Sequence, residues 1–152
     1  MSGKHRAGQT LVETSIAIGV ITIVVAALIA MGISAMRSSS FSKNRIIAEK
    51  VANEALEAMR GLKNATAPAD FNSVFNPSSC YQLSSGTPRY ILPITVSCAS
   101  YQNYTTTPYQ YKISVADTTQ NGVTGKTISV GVTFLDSGGM HETSMQTFFT
   151  NW

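Results

Sequence analysis

Glu13 is the residue whose type and position point most directly to chemistry, because residues 14–36 follow it without a single charged side chain. Ahead of it the only ionisable side chains are Lys4, His5 and Arg6. A carboxylate carried to the centre of a bilayer helix costs roughly 2.5–3.5 kcal/mol, so acids at such segments are functional candidates. The simpler alternative is a headgroup-level carboxylate favoured by the positive end of the helix dipole. Enzymatic chemistry has little to work with. His141 is the only histidine beyond the first eight residues, no serine sits in a nucleophile-elbow setting, and no glycine-rich phosphate loop follows a strand pattern. The stretch from Asp117 to Gly122 partly matches a calcium loop, but the position where an EF-hand needs glutamate holds Ile128. Asn121-Gly122 is read as a hairpin turn. The expectation is a chain with no catalytic residue, no metal and no cofactor.

The element that must carry Glu13 is a helix. Residues 14–36 span roughly 35 Å at 1.5 Å per residue, against about 30 Å of hydrocarbon. Gly19, Thr22, Gly32 and Ser34 are spaced among Ile, Val, Ala and Leu, and no proline occurs before Pro68. Small residues of this kind suit packing against other helices as well as against lipid. A secretory signal peptide competes as an explanation, but its apolar part is usually about 7–15 residues and ends at a small-x-small site. Here the nearest match, Ala30-Met31-Gly32, lies inside the apolar run.

Gly8-Gln9-Thr10-Leu11-Val12-Glu13, preceded by Lys4 and Arg6, resembles the prepilin signal of type IV pilins and of the pseudopilins of type II secretion. The resemblance covers roughly the first 30 residues. It implies a leader of residues 1–8, cleavage by a prepilin peptidase between Gly8 and Gln9, methylation of the new amine of Gln9, and Glu13 as the acid at the fifth residue after the cut. It departs from the family in having Gln9 where phenylalanine is usual, with Val12 and Thr14 replacing commoner isoleucine and leucine. The proline that many major pilins carry midway along this segment is absent, which favours a minor subunit. Cleavage would leave a positive charge at Gln9, and Glu13 of a neighbouring subunit could neutralise it at far lower cost in lipid than either ion alone. The implied partners are other pilin or pseudopilin subunits, an inner-membrane assembly platform and membrane lipid.

Charge argues against nucleic acid as a partner. The chain is +3, with 11 basic and 8 acidic residues; without Lys4 and Arg6 it is +1. Residues 65–152 hold Arg89, Lys112 and Lys126 against Asp70, Asp117, Asp136 and Glu142, which offers no face to neutralise a phosphate backbone. Orientation is divided. Arg37, Lys43, Arg45 and Lys50 follow the span, and counting basic residues alone would put the C-terminal part inside the cell. The prepilin-like signal and the cysteine pair place it outside, with the chain anchored once in the cytoplasmic membrane. Cys80 and Cys98 are the only cysteines. In an exported head they would close a disulfide loop of about 18 residues, worth roughly 3 kcal/mol; in a reducing compartment they stay free thiols.

Beyond the span, residues 37–64 continue as an amphipathic helix. Phe41, Ala48, Ala52, Ala55, Met59 and Leu62 recur at spacings of three, four and seven. Arg45 with Glu49, Lys50 with Glu54 and Glu57 with Arg60 supply surface ion pairs. The helix is expected to end near residues 61–64, where Gly61 and Asn64 suit a C-terminus. Residues 65–108, with Pro68, Pro77, Pro88 and Pro108, read as a loop-rich connection, with a short strand near 90–96 confined to an edge by Pro93. Residues 109–152 read as an antiparallel head. Tyr109, Tyr111, Ile113 and Val115 alternate with polar residues, as do Ile128, Val130, Val132 and Phe134, and residues 145–149 form a third strand. The fold class is therefore α+β, a long N-terminal helix packed on a small antiparallel sheet, which the pilin resemblance also implies. Two functions fit this layout: a subunit of a type IV pilus or type II secretion-like filament, and a single-pass anchored binding protein with a β-rich head.

Overall fold

The computed structural model describes residues 6–84, 91–94, 101–104 and 108–151, with side chains described from Leu11 onward and not at 92–94. One helix, α1 (Arg6–Ala65), carries the N-terminal half. The chain divides into two units, Met1–Ser40 and Phe41–Trp152.

In the first unit every described side chain is exposed. An 18-residue stretch of this helix has a mean hydropathy of 2.8 with none of it buried, so one helix near the N-terminus is long and apolar enough to cross a membrane. Its hydroxyls are satisfied internally. Thr14 and Ser15 donate to the Leu11 carbonyl at 3.0 and 2.9 Å, and Thr22 donates to Gly19 at 2.8 Å. Such back-bonding leaves none of these hydroxyls needing water, as a lipid-facing helix requires.

The second unit has a core of its own. On its part of α1, Ala48, Val51, Ala52, Ala55, Leu56 and Met59 are buried, which is one helical face with apolar positions three and four apart. Three of the six are alanines, so the backbone can lie close to its cover. The Arg45–Glu49 pair forms at 3.0 Å, and Glu57 pairs with Arg60. Glu54, expected to pair with Lys50, accepts the Tyr104 hydroxyl at 2.6 Å. The helix runs through Gly61 to Ala65, slightly past the predicted end. The Thr66 hydroxyl and amide take over there, donating to Leu62 at 2.7 Å and Lys63 at 3.1 Å.

The sheet is a meander of four antiparallel strands in the order β3-β4-β5-β6: β3 (Gln102–Asn103), β4 (Gln110–Gln120), β5 (Val123–Asp136) and β6 (Gly139–Thr150). Tyr111, Ile113 and Val115 of β4 face the core opposite Val132, Val130 and Ile128 of β5. Asn121 (φ 51°) and Gly122 (φ 80°) form the two-residue turn between them, the mirror-image type that matches strand twist. Ser137-Gly138 makes the second turn, with Asp136 opposite Gly139. The third strand is longer than predicted, beginning at Gly139 rather than Met145.

The connection read as loop-rich contains structure. A 3-10 turn, Pro68–Asp70, leads into the single-turn helix α2 (Phe71–Val74). Phe71 and Phe75 enter the core, with rings 5.1 Å apart and Phe75 edge-on to Phe149 at 5.7 Å. A separate antiparallel pair, β1 (Cys80–Leu83) with β2 (Ile91–Ile94), places Pro93 opposite Tyr81. In a two-stranded sheet each strand has a free edge, as proline demands. The hairpin is tied to the main sheet by the Leu83 amide, which donates to the buried Tyr111 hydroxyl at 2.9 Å. Tyr111→Phe strands that amide, and denaturant titration of the full chain in detergent should show a loss of about 1–3 kcal/mol.

Candidate functional site

Glu13 lies on an exposed turn of α1, and it makes no ion pair or hydrogen bond among the described residues. The helix starts at Arg6 and has no acid in its first turn. Gln9 is four residues earlier on the same helix, so positions 9 and 13 share a face, about 6 Å apart along the axis. Gly8 and Gln9 are in the helical backbone, and the Gln9 side chain is not described.

Cys80 opens β1, is buried, and holds no free thiol. Cys98 lies outside the described residues, so the expected bridge between the two is taken up again only as a proposal. The Asp117–Gly122 stretch is the end of β4 and its turn. The Asp117 carboxylate there pairs with the buried Lys126 ammonium directly across the sheet. No group of three or more metal-ligating side chains forms among the described residues.

Sequence reasoning missed a polar contact on the outer sheet face. The Tyr101 hydroxyl donates to Glu142 Oε1 at 2.7 Å, over Gly131. A Cβ on Gly131 would stand 2.7 Å from that same oxygen, so a side chain there would push the Glu142 carboxylate aside. Burial, the hydrogen bond to Glu142 and its charge push the Tyr101 phenol up to about 12. A phenol held neutral in this way stabilises the fold below the ordinary tyrosine pKa of about 10, and the contribution is lost as pH rises toward the folded value. Ultraviolet titration should find more than one late-ionising tyrosine, and Glu142→Gln should move one of them, Tyr101, back toward the ordinary range. Unchanged titration in that variant would refute the contact. Tyr109 is also raised by burial, and its hydroxyl donates to Asn44 on α1 at 3.1 Å.

The fold and this site define a class: an α+β protein with a long apolar N-terminal helix and a four-stranded antiparallel sheet. No family model, no curated protein and no solved structure matches the chain.

Proposed function

We propose that the chain is a structural subunit, a minor pilin or pseudopilin, of a type IV pilus or type II secretion-like filament, and not an enzyme. In this reading a prepilin peptidase cuts after Gly8 and the amine of Gln9 is methylated. Residues 9–36 hold the subunit in the cytoplasmic membrane with its head outside, and a Cys80–Cys98 disulfide staples the head. The inner-membrane platform then moves it into a filament of like subunits. One observation carries the proposal: Glu13 is an exposed carboxylate on a helix, with no charged side chain after it until Arg37. The amine of Gln9 on an adjoining subunit would supply its counter-charge, and two unit charges 4 Å apart attract by about 4 kcal/mol at an effective dielectric of 20.

Intact-mass measurement on protein taken from native membranes tests the processing step. The expected species lacks residues 1–8 and carries one methyl group. An unprocessed chain, or one cut near Gly32, would instead fit an anchored binding protein and overturn the filament reading.

A further inference from the structure

β6 is the last strand of the four-stranded sheet, and among the described residues no backbone group pairs with its outer side. The turn before it sets its hydrogen-bonding sense. Asp136 and Gly139 close the two-residue Ser137-Gly138 turn as a hydrogen-bonded pair, and such pairs recur at every second residue. Gly139, His141, Thr143, Met145, Thr147 and Phe149 therefore turn their N–H and C=O groups to β5. The Phe149 carbonyl, against Gly125 of β5, has this sense. Met140, Glu142, Ser144, Gln146, Phe148 and Thr150 turn theirs outward, a row of donors and acceptors repeating about every 6.8 Å. Long edges of this kind are usually blunted by lysine, proline or a bulge. β6 has none of these: its register with β5 is unbroken over its 12 residues, and residues 143–150 carry no charge.

Beside this edge the core face of β6 is only half covered. His141, Thr143, Met145 and Thr147 are half-buried, whereas Phe149 is buried. A groove of about 350 Å³ lies there, between Phe41 and Arg45 of α1 and Phe134, His141, Thr143 and Ser144 of the sheet. Its wall is aromatic, with the His141 ring 5.0 Å from Phe41, edge-on, and 5.6 Å from Phe134. Its charged groups are already matched, Arg45 by Glu49 at 3.0 Å and Glu142 by the Tyr101 hydroxyl at 2.7 Å. All these residues belong to the second unit. An open row of backbone groups calls for a polypeptide strand, and an aromatic groove with matched charges calls for an uncharged, apolar side chain. We propose that the free edge of β6 is a docking site for an extended, uncharged peptide segment of a partner protein. The segment adds to the sheet as a fifth strand and sets one apolar side chain between Phe41 and His141. This is independent of the filament assignment, because it uses the second unit alone.

The probe is a short fluorescein-labelled peptide alternating threonine with valine, with phenylalanine in place of one central valine. Its binding to the full chain in detergent is read by fluorescence anisotropy. Saturable binding is expected, weakened about tenfold or more when that phenylalanine is replaced by serine. Methylating every second backbone amide of the peptide should weaken binding about tenfold or more in one phase and leave it unchanged in the other, since only one set of amides faces β6. Ser144→Pro removes one outward N–H and none that β5 uses, so the chain should keep its circular dichroism and lose the peptide. If that variant does not fold, the methylated peptides decide the matter on the unaltered chain. Absence of saturable binding overturns the proposal, and so does binding that both methylated peptides retain, which would be groove filling without a strand. Sedimentation of the chain alone supplies the remaining arm: a dimer that Ser144→Pro converts to monomer means that a second copy covers the edge, and also overturns it. None of these outcomes alters the processing at Gly8 on which the filament reading is tested.

Discussion

Glu13→Ala is expected to remain in the membrane fraction and to disappear from filaments sheared off the cell. The variant removes the one charged side chain of residues 9–36, so insertion in lipid should be unchanged or easier. What it loses is attraction to the amine of a neighbouring Gln9. At about 4 kcal/mol that attraction is close to a thousand-fold in an association constant. Glu13→Gln keeps the shape of the side chain and should fail equally, which separates charge from packing. Glu13→Asp, which keeps the charge with a shorter reach, should fall between these variants and wild type. Immunoblotting of sheared and cell-associated fractions reads the result directly. Normal incorporation of Glu13→Gln would show that the carboxylate has no electrostatic part in assembly, and a helix-start role would then be the better account. Such a role is worth only about 0.3–1 kcal/mol.

The second large effect is on stability. Phe75→Ala should cost roughly 3–5 kcal/mol, because the ring is fully buried between Phe71 and Phe149 and its loss leaves a cavity. Domains of this size have roughly 5–15 kcal/mol in total, so the variant should be near its folding limit. Asn72→Ala, one turn away and exposed, should stay within about 0.5 kcal/mol of wild type. Denaturant titration of both variants as full chains in detergent gives the comparison. A cost below about 1 kcal/mol for Phe75→Ala would mean that the segment after α1 is not part of the core.

That segment was the least legible in the sequence, for a physical reason. Four helical residues between Pro68 and Pro77 are too few to show periodicity, and the only signal was the four-residue spacing of Phe71 and Phe75. β6 was half visible for a different reason. Its inward positions include His141, Thr143 and Thr147, so hydrophobicity does not alternate even though burial does. The strand exists because β5 offers a full edge to pair with. The apolar helix, β4, β5 and the Asn121-Gly122 turn were plain, because each is long or carries a strong local rule. Of the site, the sequence supplied the isolation of Glu13. It could not supply the Tyr101–Glu142 contact, whose residues are 41 apart and meet only through sheet register.

The placement of the alanine-rich face of α1 has a consequence for biosynthesis. Ribosomes make this face before β5 and β6, which belong to the same core. Until those strands emerge, the nascent chain offers sticky surface to chaperones and proteases alike. Premature stop codons anywhere before β5 should therefore yield rapidly degraded fragments rather than shortened, working polypeptides.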